Sequence, residues 1–256
     1  MRAMILAAGL GTRLRPLTND RPKALVELAG RTLLDITLTR LRDFGVGDVI
    51  INVHHFADMV VDYLKANNNF GMYIEVSREE VLLDTGGGLR KAAHFFLENA
   101  GFDKPFILHN VDVISTIDLE LMAQFHSKHR ALATLAVQER ETSRYLLFDE
   151  NLQLRGRRAG PNQAADQVRP ALEPQALAFS GIHIISPRIF SLIREEGAFS
   201  IIDSYLRLAA QGEKILAFRA DEYDWRDLGR PENVAQAERD LVSSEHLKAR
   251  TQRQLH

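Results

Sequence analysis

The residues with the greatest chemical reach lie near the start of the chain, in "MILAAGLGTRLRPLTNDRPKALV" (4–26). An apolar run breaks into Gly9 and Gly11, then presents Thr12, Arg13 and Arg15, and Lys23 follows directly on Pro22. A glycine loop at a strand end lets backbone N–H groups approach an anion with no Cβ in the way, and cations beside it offset phosphate charge. Further along, Asp112 and Asp227 each follow an apolar or aromatic run, so each stands at a strand end, where open α/β sheets bind ligands. A second glycine segment, Asp84-Thr85-Gly86-Gly87-Gly88, is costly as a plain turn and suits close backbone approach to a planar base.

Two common phosphate loops do not fit. Walker A needs G-x-x-x-x-G-K-[ST], which is absent. The dinucleotide fingerprint lacks its third glycine, since Leu14 stands there, and the second strand ends in Asn52-Val53-His54-His55 without a ribose-binding acid. Plainer roles also exist for several residues. Asp112 could cap a helix or turn beside Ser115 and Asp118, and Asp227 could open a turn before Leu228-Gly229. His54 and His55 suit a packed or solvated strand end, and His126 and His129 suit a helix C-terminus.

These groups need a scaffold, and the hydrophobic pattern supplies one. Strands are predicted over 2–8, 48–55, 72–77, 105–110 and 131–138, alternating with helices over 32–45, 57–68, 87–99 and 118–130. Such alternation implies right-handed crossovers and a mostly parallel sheet. The second half reads as a hairpin over 143–156 and a polar surface excursion over 157–176. A strand over 176–186, helices from Pro187 and over 200–211, strands near 214–221 and 223–229, and a helix from Pro231 to 244 follow. The fold class is α/β, a Rossmann-like three-layer sandwich around a mostly parallel mixed sheet. One domain is expected over 1–243, in two halves of about 1–115 and 116–243, with a polar tail over 244–256.

Composition narrows the function. With 256 residues and 45% hydrophobic content the chain can build a full core. Basic residues number 32 and acidic residues 34, a balance that argues against a nucleic-acid or anionic-membrane surface. There is no cysteine, which excludes disulfides, thiolate metal sites and cysteine nucleophiles. No apolar run reaches membrane-spanning length, so a soluble cytoplasmic protein is expected.

"LAAGLGTRLRPLT" followed by "PKALV" closely resembles the signature of the sugar-nucleotidylyltransferases, which join a sugar 1-phosphate to a nucleoside triphosphate and release pyrophosphate. "LLDTGGGLRKA", "LHNVD", "AFSGIHIISPRIF" and "DWRDLGRPENVAQAE" are similar to that family's later motifs. Among its branches, N-acetylmuramate-1-phosphate uridylyltransferases are the nearest, followed by mannose- or heptose-1-phosphate guanylyltransferases. The resemblance implies a nucleotide site of Leu6, Ala7, Ala8, Gly9, Gly11, Thr12, Arg13 and Asp84 to Gly88. It implies catalytic cations at Arg13 and Lys23, and a sugar-phosphate site of Lys23, Asn110, Ser180 and Gly181. Magnesium is expected on Asp112 and Asp227, with a nucleoside triphosphate and a sugar 1-phosphate as partners, neither nucleic acid nor membrane, and a monomer or homodimer.

That chemistry suits the residue types, because in-line attack on phosphorus needs charge offset and reactants aligned rather than a protein nucleophile. Two departures stand out. Val111 replaces the glycine that often precedes the metal aspartate, and the E-K-P motif whose lysine grips the sugar phosphate is missing. Arg157, Arg158 or Arg169 could replace that lysine; "RGRR" (155–158) otherwise reads as a solvated loop.

Overall fold

The structure, a computed structural model, describes residues 1–98 and 104–241. Its centre is parallel. Strands β1 (Arg2–Leu6), β4 (Asp48–Val53), β5 (Tyr73–Arg78) and β6 (Phe106–Asn110) run in the spatial order β6-β1-β4-β5, all in the same direction. The crossovers carry helices α1 (Leu33–Asp43), α2 (Ala57–Ala66), α3 (Asp84–Lys91) and α4 (Ala93–Leu97). A two-residue hairpin, β2 (Glu27–Leu28) with β3 (Arg31–Thr32), leads into α1, where the Thr32 hydroxyl caps by accepting from the Asp35 N–H at 3.0 Å.

Alternate residues of these strands feed two different cores, which is why the strands read as unbroken apolar runs. Ala3 and Ile5 of β1 join Leu34, Leu38 and Leu41 of α1 on one face. Met4 joins Ile50, Leu89 and Phe96 on the other. The three-layer α/β class expected from the sequence is borne out.

The second half extends the same sheet with antiparallel strands. After β7 (Val113–Ser115) and α5 (Leu119–His129) come β8 (Ala133–Gln138), β9 (Tyr145–Phe148), β10 (Leu154–Arg158) and β11 (Ala165–Gln167). The long β12 (Gln175–Ile185) pairs antiparallel with β6 over 182–185 and with β9 over 175–178, and its register against β8 shifts between Phe179 and His183. Helix α6 (Ile201–Ala210) precedes β13 (Ile215–Arg219), which runs parallel to β8. Short β14 (Trp225–Asp227) pairs with β7 in a separate two-stranded sheet, and residues 231–241 form a last helix.

Several local expectations need correction. The first strand ends at Leu6, because the next N–H, on Ala7, donates instead to Asn52 Oδ1 at 2.8 Å. The excursion over 157–176 contains the end of β10, all of β11 and the start of β12; β11 is fully exposed, so no hydrophobic alternation marks it. Pro187–Ser191 is a short 3-10 turn. The helix expected over 87–99 begins at Asp84 and breaks at Ala92. Residue 99 and the polar tail over 244–256 lie outside the described residues.

Three histidines on these elements are buried neutral. His109 and His183 are held down at about 3 and His126 at about 4, burial being the main cause in each. In the unfolded chain they would titrate near ~6.5. The unfolded state therefore binds more protons between those values, and stability falls as pH drops below about 6.5, by up to ~1.4 kcal/mol per pH unit for each histidine. Urea melts at pH 7 and pH 5 check this: the midpoint is expected to fall well before ordinary carboxylates protonate. Equal midpoints would contradict it.

Candidate active site

The glycine loop leaves the carboxyl end of β1, at the middle of the parallel strands. Gly11 needs to be glycine twice over. Its φ is +64°, and a Cβ there would lie 2.9 Å from Thr18 Cγ2. Its carbonyl accepts from the Leu14 N–H and the Thr18 hydroxyl, each at 2.8 Å, which winds Thr12–Leu14 into a 3-10 turn and carries Arg13 out into solvent. Gly9 is exposed, with nothing within 4 Å of where a Cβ would be, so the loop backbone is open on that side. Ala7 and Ala8 are buried beneath it.

The two aspartates are joined by pairing outside the main sheet. Asp227 ends β14 and faces Val113 of β7, one residue after Asp112. The Leu228 N–H donates to the Asp112 carbonyl at 2.8 Å, which locks the two turns together. Gly229 marks where they converge. A Cβ placed on it would lie 2.8 Å from Asp227 Oδ1, 3.1 Å from Asp112 Oδ2 and 3.2 Å from Arg13 Nη2. These spacings from one point bound the two carboxylate oxygens to within about 6 Å, a span that one oxygen-coordinated divalent cation can bridge directly or through water. Lys23 Nζ pairs with Asp112 Oδ2.

Burial, and after it the charge of Asp112, push the Asp227 carboxyl above its ordinary value. The Gly229 N–H, which donates to Asp227 Oδ1 at 2.7 Å, and Lys23 pull the other way. A partly buried carboxylate pushed up by a neighbouring one marks a place short of positive charge. Among the described residues no third His, Asp or Glu joins them, so a hard cation there would draw its other ligands from phosphate oxygens and water. The donor set fits magnesium.

A cavity of about 880 Å³ opens beside this cluster, with Arg13, Asp112, Asp227, Asn110, Gly181 and Trp225 on its walls. Gly181 has φ +75°, and a Cβ would lie 2.8 Å from Val113 Cγ2 and 2.9 Å from Asn110 Nδ2. Ser180 is not on the wall. Its side chain is fully buried, and its carbonyl accepts from the Trp225 indole N–H at 2.7 Å.

The second glycine segment is helical throughout: the helix expected from 87 begins earlier, at Asp84, and takes in Thr85 and Gly86 as well. Gly86, Gly87 and Gly88 are buried in the first turns of α3, and the Gly86 and Gly87 N–H groups donate to the Phe199 carbonyl at 2.9 and 3.3 Å. Thr85 Oγ1 accepts from the Ile201 N–H at 3.0 Å, and Asp84 is exposed with φ +58°. A Cβ on Gly86 would strike the Phe199 ring at 2.2 Å, and one on Gly88 would lie 2.8 Å from Asn52 Nδ2. These glycines admit neighbouring protein. A Cβ on Gly87 would sit 2.4 Å from the Gly197 carbonyl oxygen. Replacing a helical glycine by alanine gains about 1 kcal/mol in propensity, whereas overpacking costs roughly 1–3 kcal/mol. Gly87→Ala is therefore expected to lower the melting temperature, and an unchanged or raised one would contradict the packing.

Five side chains important to the geometry were not apparent from the sequence. Asn52 Nδ2 donates to Glu79 Oε1 at 2.7 Å and Asn52 Oδ1 accepts from Ala7, so this pair ties the first glycine loop to α3. A polar residue inside "VIINV" was the available signal. Half-buried Arg40 reaches His109 Nε2 at 3.2 Å, and His109 Nδ1 donates to the Asn110 carbonyl at 2.8 Å, which steadies the turn that carries Asp112. Arg140 lies 3.7 Å over the Trp225 ring, its Nη2 donating to the Phe179 carbonyl at 2.8 Å. Of the arginines considered as replacements for the missing lysine, Arg157 and Arg158 line the cavity and Arg169 does not.

A central parallel sheet with a glycine loop at its carboxyl edge, two converging carboxylates and cations on both sides defines a phosphoryl-group transferase of the nucleotidyl type. The chain belongs to the sugar-nucleotidylyltransferases: the family profile described as Nucleotidyl transferase matches residues 2–244. Its activity is the general one of that family, forming a nucleoside diphosphate sugar from a sugar 1-phosphate. It is 36% identical over 254 residues to an N-acetylmuramate alpha-1-phosphate uridylyltransferase of Caulobacter vibrioides, covering 94% of this chain and 97% of that protein. A mannose-1-phosphate guanyltransferase of Candida albicans is 30% identical over 236 residues; the match covers 91% of this chain but only 62% of that relative's length. The crystal structure of a UDP-glucose pyrophosphorylase complexed with UDP-glucose shares the fold, with TM-score 0.77 at 20% identity over 95% of this chain and 98% of that one. Among the described residues no helix is long and apolar enough to cross a membrane.

Proposed function

We propose that the chain transfers a uridylyl group from UTP to a sugar 1-phosphate, with magnesium held by Asp112 and Asp227. The single observation that carries this is the meeting of Arg13, Asp112 and Asp227 in front of Gly229, with Lys23 paired to Asp112. The choice of uridine rests on the Caulobacter relative, which the chain matches over nearly its whole length.

In the reaction an oxygen of the sugar phosphate attacks the α-phosphorus, a new P–O bond forms, and the bond to the β-phosphate oxygen breaks to release pyrophosphate. The open backbone around Gly9 and the Arg13 guanidinium hold the β- and γ-phosphates, offsetting the charge that develops on the leaving group. Lys23 faces the α-phosphate and the incoming phosphate and brings the two anions together. Magnesium, when bound, supplies further positive charge to the phosphate oxygens. Asp84, exposed at the start of α3, borders the base, with Leu6 and Thr12 completing the nucleotide half, while Gly86 to Gly88 pack that helix against the protein behind it. Arg140, on its Trp225 platform, takes the place of the missing lysine at the sugar phosphate, between Asn110 and Gly181. Both substrates are cytoplasmic metabolites, which sets the reaction there.

A pyrophosphate-release screen crossing UTP, GTP, CTP, ATP and dTTP with a panel of sugar 1-phosphates, with and without magnesium, tests this reading. UTP with magnesium is expected to give the highest rate. Release that is fastest with another triphosphate would move the base assignment, and no release with any pair would overturn the reading.

A further inference from the structure

We propose that the sugar end of the cavity holds a second anion station, formed by Arg144 and Arg158, that reads an acidic group on the sugar away from its 1-phosphate. The inference rests on the transferase reading above and adds the substrate class.

The cavity is lined by five arginines, Arg13, Arg140, Arg144, Arg157 and Arg158, against three carboxylates, Asp112, Asp203 and Asp227. The carboxylates are largely committed. Asp112 pairs with Lys23, Asp227 faces Asp112 and the Gly229 N–H, and Asp203 pairs with Arg157 at 2.6 Å. Arg157 is occupied twice, since Asp166 lies 3.3 Å from its Nε. Among the described residues Arg140, Arg144 and Arg158 make no ion pair within 4.0 Å.

These three are not equivalent in position. Arg140 belongs to the reacting end: it stacks on Trp225, two residues before Asp227, and feels the Asp227 charge. Arg158 lies further along, with its guanidinium carbon 5.3 Å from the centre of the Tyr145 ring, directly across the β9–β10 ladder. Its Nε is buried without a partner. Arg144 is the exposed neighbour of Tyr145 on the same wall. Arg140 is thus tied to the aspartate pair through Trp225, and Arg158 to Tyr145.

Charge counting separates the two ends. Arg13, Lys23 and Arg140 already face the triphosphate and the 1-phosphate. A neutral sugar ring would leave the buried Arg158 Nε–H unsatisfied and two cations facing a hydroxylated ligand. A carboxylate or phosphate on the ring would accept from the planar guanidinium fork and complete it. Cations gathered in one concavity also raise the local concentration of an anionic substrate.

The test compares kcat/KM for matched sugar 1-phosphates, with UTP and magnesium, by pyrophosphate release. The matched sets are N-acetylglucosamine 1-phosphate against N-acetylmuramate 1-phosphate and N-acetylglucosamine 1,6-bisphosphate, and glucose 1-phosphate against glucuronate 1-phosphate. The acidic member of at least one set is expected to lead its neutral partner by roughly tenfold or more, the effect of one charge-assisted contact. The carboxylate and phosphate arms identify which acid is read. Arg158→Gln and Arg144→Gln are expected to bring the ratio towards one, mainly by raising KM for the acidic substrate, with Arg158→Lys retaining part of the preference. Equal use of neutral and acidic partners by the wild-type enzyme overturns the proposal and leaves the transferase reading standing, whatever the variants do. A preference that survives in the folded double variant also overturns it. No turnover with any sugar phosphate brings down both readings.

Discussion

Asp112→Asn and Asp227→Asn are each expected to lower kcat/KM by on the order of a hundredfold or more, and the double variant to lose little beyond either single one. The two carboxylates lie within about 6 Å of each other and would act as one unit on one cation, so breaking either half breaks the whole. Strictly additive losses would show two independent roles. The stability readout runs the other way. Asp227 is pushed up by burial and by Asp112, so in the metal-free protein its charge is a liability. Asp227→Asn keeps an oxygen for the Gly229 N–H and removes the repulsion. Without magnesium its melting temperature is expected to match or exceed that of the wild type, and added magnesium is expected to stabilise the wild type more than the variant. A variant that loses activity because it no longer folds would contradict this account, as would identical magnesium shifts in both proteins.

Lys23→Ala is expected to remove most turnover, by roughly a hundredfold to a thousandfold, equivalent to about 3–4 kcal/mol of transition-state stabilisation. Lys23 is held by a 3-10 turn that starts after buried Pro22, and its side chain is only 15% exposed. Its partner in the free protein is Asp112, so it stands where charge develops and not on a freely moving arm. Saturating both substrates separates binding from chemistry: the loss is expected to persist in kcat. A variant that recovers near-normal kcat at saturation would reduce Lys23 to a binding contact.

What the sequence made legible follows from the range of the interactions. The loop from Leu6 to Arg13 closes on itself within a dozen residues, through Gly11 and Thr18, so its shape is written locally. The parallel strands were legible because burial on both faces leaves plain apolar runs such as "RAMIL" and "FILHN". Asp112 and Asp227 could be marked as strand ends, but their meeting depends on the β7–β14 pairing, which three-residue strands hardly advertise. The helix from Gly87 onward was legible, but the packing role of the glycines at 86–88 was not, for the same reason: Phe199 and Gly197, which they admit, lie more than a hundred residues away. Arg140 and Arg40 were invisible because an arginine in sequence reads as surface, and only Trp225 and His109 give these two a place inside.

Strand β12 divides at Ser180-Gly181, with residues beyond the break bonded to β6 of the parallel core and residues before it bonded to the β9 hairpin. The hairpin β9–β10–β11 thus hangs from the catalytic framework through the first third of one strand, with a lighter seam where Leu152 and Gln153 touch β13. For a lineage of enzymes this is a graft point. Changes confined to the hairpin's exposed cavity side, such as Arg144, would leave the register of β6, β1 and β4 in place, whereas its buried Leu146, Phe148 and Leu154 stay tied to the core those strands share. Substrate range and reaction chemistry can accordingly evolve at different rates in one small chain.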